Sequence, residues 1–266
     1  MCYTTVDSPI TRESEPMADL IYGRNAVREA LRARRRTFQQ LLISAGAQEA
    51  GTLGEVIKLA EKADVAIERI DRHDLDRRLR EVNHQGVALE CSEYPYVELD
   101  DCLALAEERA ESVLLLLLDH LQDPQNVGTL LRTAETIGVH GVVLPGRRAA
   151  EVTPAVVNAS AGATEHLRIV VVTNLAQAIQ EVQKAGVWVV GVEDDDRAQA
   201  FDQVDLNMPL ALVIGAEGPG LARLTRERCD FMVRLPMRGQ IASLNAAVAG
   251  SIVLYHAWRV RQPTRS

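Results

Sequence analysis

The sequence predicts an α/β protein of two units: a small N-terminal α/β domain and a larger C-terminal domain with a mostly parallel sheet. Three observations carry this. Strand-like and helix-like segments alternate along nearly the whole chain, the pattern of repeated strand–helix units. The apolar run VLLLLL at 113–118 is bounded by polar residues, as expected of a central parallel strand buried on both faces. The Pro-containing acidic stretch SEYPYVELDD separates the two sets of units. The expected divisions are a loose tail over 1–17, a first domain over 18–92, a linker and helix over 93–110, and a second domain over 111–266.

The elements follow in order. In the first domain, IYGRNAVREALRAR places Ile21, Val27, Ala30 and Leu31 at helical spacing. FQQLLISAG reads as a strand entering a turn. GTLGEVIKLAEKADV carries Leu53, Val56, Ile57 and Ala60 on one helical face. AIERI, HDLDRRLREV and QGVALECSEY then read as strand, helix and strand. A helix is expected over 103–110. In the second domain VLLLLLDH opens the sheet, followed by the helix VGTLLRTAETIG and the strand GVVLP. The helix EVTPAVVNASAGATEH, strand LRIVVV, helix LAQAIQEVQKAG and strand VWVVGVE continue the alternation. LALVIGAE, the helix LARLTRERC, FMVRLPM and a last helix within SLNAAVAGSIVLYHAWRV complete it.

Composition narrows the function classes. With 47% hydrophobic and 25% charged residues, the chain is an ordinary globular protein rather than a disordered tail, a collagen or a disulfide miniprotein. Only 4% of residues are aromatic, which disfavours a module gripping bases by stacking on many rings. Cys2, Cys91, Cys102 and Cys229 form no C-x-x-C pair and no His cluster lies near them, so reduced thiols in a cytoplasmic protein are expected, with no metal. The apolar run at 113–118 is far short of the ~20 residues of a membrane helix. The opening MCYTTVDSPITRESEP lacks an apolar core, so no signal peptide is expected, and Met17 is a candidate natural start.

A net charge of −8 argues against nucleic acid, but its distribution matters more than its average. Arginines fall at 24, 28, 32, 34, 35 and 36, and a helix would align 24, 28, 32 and 35 on one side. A solvated helix face and a phosphate-tracking stripe both fit; charge alone leaves the two open.

No G-x-G-x-x-G follows a strand, and there is no phosphate-loop, zinc-protease or serine-elbow motif. Three irregular stretches stand out instead, each at the carboxyl end of an expected strand, where open α/β sheets bind ligands. In DHLQDPQNVGTLLRTAETIG, Asp123-Pro124 signals a turn and Asn126 or a neighbour can cap the next helix. Arg132, between Leu131 and Ala134, is expected to be partly buried and to need a partner. That partner is either an ion-pair carboxylate or a phosphate or oxyanion in a cleft. In VIGAEGPGL, three glycines surround Glu217, and glycine permits close backbone approach to a ligand. In RLPMRGQIASLNAAVAG, Ser243 and Asn245 precede a helix that is apolar nearly all round. Such a helix must lie in a core or a subunit interface.

Together, DPQNVGTLLRTAETIG, IGAEGPGL and LPMRGQIASLNAAVA resemble the three motifs of the SpoU/TrmH family of RNA ribose 2′-O-methyltransferases. IYGRNAVREAL and NHQGVAL, at 83–89, resemble the small N-terminal substrate-binding domain of the members that methylate a 23S rRNA guanosine. The resemblance implies a SPOUT catalytic domain with a trefoil knot, a homodimer through the C-terminal domain, and S-adenosylmethionine as methyl donor. It puts Gly215, Leu235 and Leu244 at the cofactor and Asn126, Arg132, Glu217, Ser243 and Asn245 at the catalytic positions. It also implies that Arg24, Arg28, Arg34, Arg35 and Arg36 contact RNA phosphate.

The chemistry suits these residue types. The donor is a sulfonium cation whose charge is lost as the methyl moves, which favours a dry, nearly uncharged pocket. The ribose 2′-OH must lose its proton as the bond forms. A guanidinium with a pKa above ~12 is a poor base, so Arg132 is expected to stabilise developing alkoxide and grip phosphate. Glu217 is expected to orient Arg132 or Asn126. Competing readings are a tRNA methyltransferase of the same family, a resistance enzyme acting on 23S rRNA, and a non-catalytic RNA-binding assembly module. The role of His84, Gln85 and Gly86 stays open between a turn and an RNA contact.

Overall fold

The computed structural model describes residues 19–80, 82–146, 151–195, 198–240 and 243–262. The tail expected over 1–17, with Cys2 and Met17, lies outside them. The first domain comprises β1 (Asp19–Tyr22), α1 (Arg24–Ala33), β2 (Phe38–Ser44), α2 (Thr52–Lys62), β3 (Ala66–Ile70), α3 (Arg72–Leu79) and β4 (Val87–Cys91). Its strands lie in the order β1-β4-β2-β3. The central strand β4 runs antiparallel to β1 and β2, and β2 pairs parallel with β3. Val27 and Leu31 of α1 and Leu53 and Val56 of α2 join Leu41, Ile43 and Leu89 in one core. Leu75 and Leu79 of α3 join Leu42 and Ala88 in a second. Alternate strand residues thus serve opposite faces.

The larger domain begins with α4 (Leu99–Glu108), which starts four residues earlier than expected. The Asp101 carboxylate accepts the Glu98 N–H at 3.0 Å and sets that start. Then come β5 (Leu114–Asp119), α5 (Pro124–Thr136), β6 (Gly141–Pro145), α6 (Pro154–Ala159), β7 (Ile169–Val172), α7 (Leu175–Lys184) and β8 (Trp188–Val192). A two-residue strand β9 (Gln199–Ala200), which periodicity does not signal, precedes β10 (Leu210–Gly215), α8 (Arg223–Arg228), β11 (Phe231–Arg234) and α9 (Ala246–Arg261). The seven-stranded sheet has the order β7-β6-β5-β10-β8-β11-β9, and every pairing within it is parallel.

The two faces of β5 explain its unbroken leucines. Leu114, Leu116 and Leu118 belong to the core with Val127, Leu130 and Leu131 of α5 and Leu254 of α9. Leu115 and Leu117 belong to the opposite core with Ile179 and Val182 of α7 and Cys102 of α4. The helix expected across 151–166 is a single short helix, α6, followed by a turn and a 3-10 turn at Ala163–His166. Gly162 breaks it with φ +87, and a Cβ there would come within 2.7 Å of the Glu29 side chain on α1. The break therefore lets the two domains touch.

That contact is a polar staple. Arg36, with a side chain 0% exposed, holds Glu165 through Nε at 3.0 Å and Nη2 at 2.9 Å, and Asp19 through Nη1 at 2.7 Å. The Tyr94 hydroxyl lies 2.9 Å from the Thr164 carbonyl and 2.7 Å from that of Leu167. Arg35 donates to the carbonyls of Pro95, at 3.2 Å, and of Leu167. The Asn158 amide donates to the Tyr22 carbonyl at 3.1 Å, and Val97 N–H to the Ile169 carbonyl at 3.0 Å. The segment expected to be a linker is thus a strap fastened to the second domain.

The arginine cluster is corrected accordingly. Helix α1 ends at Arg34 in the left-handed conformation, φ 52, so Arg35 does not continue its face. Arg36 is unavailable to RNA because burial and two carboxylates already claim it. Arg28 and Arg32 are paired with Glu29 and Glu55. Arg34 is exposed and has no side-chain partner among the described residues.

Candidate active site

Loops at the carboxyl ends of β8, β10 and β11 enclose a cavity of about 430 Å³, within the ~300–1,000 Å³ of small-molecule sites. Gly215, Glu217, Leu235, Ser243, Leu244 and Asn245 all line it. Its floor is a tight backbone turn: Ala216 and Gly220 exchange hydrogen bonds at 3.2 and 3.0 Å. A Cβ on Gly215 would sit 2.4 Å from the Gly220 carbonyl carbon. Gly220 itself has φ +68, and a Cβ there would lie 2.0 Å from the Glu193 carboxylate. Only glycines permit this floor.

Two acids at neighbouring strand ends brace the turn. Glu193, following β8, accepts from Leu221 N–H at 3.2 Å and takes Arg226 of α8 through both carboxylate oxygens, each at 2.7 Å. The Arg226 guanidinium is held above its usual range by that hydrogen-bonded carboxylate. Asp119, fully buried at the end of β5, accepts from Ala222 N–H at 2.7 Å and contacts His120 Nδ1 at 2.5 Å. Neither acid was singled out from the sequence. The only signal available was their position at the carboxyl ends of two expected strands.

The first motif joins the cavity through Asn245. This residue caps α9, its side-chain oxygen accepting from Val248 N–H at 3.1 Å. Its amide nitrogen donates to Asn126 Oδ1 at 2.9 Å and to the Glu217 carboxylate. Three sequence-selected residues, 119 positions apart at the extremes, thereby form one hydrogen-bonded row. With Oδ1 occupied, the Asn126 amide hydrogens have no partner among the described residues. Asp123, not Asn126, caps α5.

Arg132 departs from expectation. It is exposed rather than half-buried, and its guanidinium has no partner among the described residues. The buried stripe of α5 is Val127, Leu130, Leu131 and Ala134, and residue 132 falls on the opposite side of the helix. Glu217 accordingly engages Asn245 and does not orient Arg132. Ser243 is exposed at the cavity edge.

These residues suit a sulfonium donor. The glycine floor lets backbone groups approach a ligand closely, Leu235, Met237 and Leu244 offer an apolar lining, and both oxygens of Glu193 are already engaged. Gly215, Leu235 and Leu244 would hold the cofactor.

Comparison with known proteins agrees. The sequence signature of the SpoU rRNA Methylase family matches residues 113–255, and that of the RNA 2′-O ribose methyltransferase substrate binding domain matches residues 20–97. A Bacillus subtilis (strain 168) protein, YacO, assigned by name to the TrmH family of tRNA/rRNA methyltransferases, is 44% identical over 245 residues. The match covers 92% of this chain and 97% of that protein. The SpoU methyltransferase AviRb from Streptomyces viridochromogenes, solved in complex with AdoMet, superposes with a TM-score of 0.73 at 26% identity. It covers 91% of this chain and 90% of its own. The TrmH/SpoU tRNA modifying enzyme of A. aeolicus matches with a TM-score of 0.52 at 26% identity, over only 59% of this chain and 84% of its own. The chain belongs to the SpoU/TrmH family of S-adenosylmethionine-dependent RNA methyltransferases.

Proposed function

We propose that the protein methylates the ribose 2′-OH of a guanosine in 23S rRNA, in the cytoplasm, as a homodimer joined through α9. The observation that carries the catalytic part is the row Glu217–Asn245–Asn126 at the edge of the glycine-floored cavity. S-adenosylmethionine, when bound, supplies the electrophilic methyl. Around it, the chain's own residues position and neutralise. Glu217 fixes the Asn245 amide, Asn245 fixes Asn126, and Asn126 presents its N–H groups to the ribose. Arg132, without a partner among the described residues, is available to stabilise developing alkoxide and hold the adjacent phosphate. Proton loss then runs to a phosphate oxygen or water, since a guanidinium cannot accept it. Positioning of this kind supplies ~7–11 kcal/mol in well-oriented systems.

The ribosomal assignment is supported by the N-terminal domain: the SpoU rRNA Methylase signature at 113–255 is preceded by a substrate-binding signature at 20–97, whereas the tRNA-modifying neighbour matches only 59% of this chain. The dimer is supported by Val248, Ile252 and Tyr255, exposed apolar side chains along α9. On this reading, residues 216–220, 235–240 and 243–245 contribute to the trefoil knot that the family resemblance implies. The test is incubation with methyl-labelled donor and unmethylated rRNA and tRNA, followed by mapping of ribose methylation. Label at one guanosine of 23S rRNA supports the proposal. Label confined to tRNA transfers it to the tRNA branch, and no label on either RNA overturns it.

A further inference from the structure

A second concavity lies in the N-terminal domain, between the carboxyl end of β2, the start of α3 and the turn 82–86, with a volume of about 550 Å³. The turn is rigidly built. His84, 3% exposed, bridges the Asp76 carboxylate through Nε2 at 2.7 Å and the Gly86 N–H through Nδ1 at 3.0 Å. Gln85 sits at φ +55, a conformation uncommon for a side-chain-bearing residue. That conformation lets its carboxamide accept Arg24 N–H and its carbonyl accept Arg24 Nε, each at 3.1 Å. Arg24 is therefore anchored by Nε alone. Its two terminal nitrogens have no partner among the described residues and form a pre-oriented fork of the kind that binds phosphate oxygens bidentately. At the wall, Ser44 is 6% exposed and its hydroxyl likewise has no hydrogen-bond partner among the described residues. A hydroxyl on the wall of a cavity, accessible and without a protein partner, is free to donate to or accept from a ligand atom. Arg72 and the exposed amide of Asn83 complete the rim with one cation and a donor–acceptor pair.

The geometry points to a binding site for one unpaired RNA nucleotide: Arg24 takes its phosphate, and Ser44 and Asn83 read the base or ribose. This rests on the proposed RNA methyltransferase activity and deepens it. A concave hollow of this size admits a splayed-out nucleotide, the form in which RNA sequence is usually read, and excludes a duplex. Arg24 lies beside the domain staple, because Gly23 abuts Asn158, whose amide holds the Tyr22 carbonyl. A nucleotide here is thereby held at a fixed position relative to the catalytic domain.

The test uses the full chain and an in vitro transcript of unmodified 23S rRNA, titrated at several salt concentrations. Arg24→Gln is expected to weaken binding about tenfold and to reduce the salt slope by about 1. Ser44→Val and Asn83→Ala are expected to weaken it severalfold with the salt slope unchanged. Arg32→Gln, two helical turns further along α1 and paired with Glu29 and Glu55, should bind as the wild type does. Calorimetric affinity for S-adenosylmethionine should stay within about twofold in all four, which establishes an intact fold. Wild-type binding by both Arg24→Gln and Ser44→Val overturns the site, as does equal competition by a fully paired RNA duplex. If the wild type methylates RNA while the cleft variants match it in binding, the site alone falls. If the wild type neither binds nor methylates rRNA or tRNA, the functional reading falls and takes the site with it.

Discussion

Arg36 and Glu165, 129 residues apart in sequence, form a two-point ion pair in the interior, with side chains 0% and 1% exposed. Desolvation works against a guanidinium at such a place, yet Glu165 and Asp19 hold its pKa above the usual range. Removing one partner strands a buried charge, which typically costs ~3–5 kcal/mol, whereas replacing both by apolar groups can be nearly neutral. Glu165→Ala should therefore lower the stability measured by urea unfolding by about that amount. The double variant Arg36→Met/Glu165→Leu should recover most of the loss. Equal losses in single and double variants would show that the pair is not what matters there.

Arg132→Ala tests the division of labour in the active site. The side chain is exposed and unpartnered within the described structure, so the variant should melt within ~1 °C of wild type and bind S-adenosylmethionine normally, as surface substitutions usually change stability little. Methyl transfer should fall by ~10²-fold or more, the scale of losing one donor to a developing oxyanion. Near-normal turnover would remove Arg132 from the chemistry.

Glu193 holds the 216–221 turn through Leu221 N–H and Arg226, so on the proposed reading it supports the cofactor pocket indirectly. Glu193→Gln keeps the shape and loses the charge that recruits Arg226. The dissociation constant for S-adenosylmethionine should rise about tenfold, ~1.4 kcal/mol, with kcat at saturating donor changing less than about twofold. A fall in kcat with unchanged affinity would place Glu193 in the chemical step instead.

His140 gives a pH signature. Its Nδ1 accepts the Leu114 N–H at 3.0 Å and its Nε2 lies 3.1 Å from Glu111, and burial lowers its pKa. The folded state thus prefers the neutral ring more than the unfolded chain does. Its contribution is fully present above the unfolded pKa of ~6.5 and is lost as pH falls through the folded value. His140→Gln should flatten the decline in melting temperature below pH 6.5; an unchanged slope would exclude His140 as its source.

The apolar face of α9 makes a solution prediction. Ile252→Asp or Tyr255→Glu changes side chains exposed at 39% and 52%. Either should convert a dimer to a monomer in sedimentation while leaving the melting transition of the monomer cooperative. Dimers that persist in both would place the interface elsewhere.

The parts legible in the sequence were those that depend on local pattern. The leucine run of β5 and the apolar LALVI of β10 are buried on both faces because they are central and parallel, and their composition says so. Asn126, Glu217 and Asn245 could be selected because polar or Gly-flanked residues at strand ends have few structural reasons to be there. What failed were inferences from adjacency along the chain. Arg132 was placed among its sequence neighbours Leu131 and Ala134, whereas a helix separates consecutive residues by ~100° and turns it outward. Arg34, Arg35 and Arg36 look alike in sequence. Their fates differ because Glu165, Leu167 and Pro95 arrive from distant segments. Likewise, nothing local marks Glu193 or Asp119 as braces, since the backbone they hold lies 28 and 103 residues away.

The staple at Arg36, Tyr94 and Asn158 has a consequence for how a substrate is chosen. On the proposed reading, the contacts that pin the two domains at that seam make the span from the nucleotide hollow to the donor cavity a ruler of set length. An RNA then qualifies by presenting two features at matching separation, and a change in that spacing would silence modification even where both features are intact.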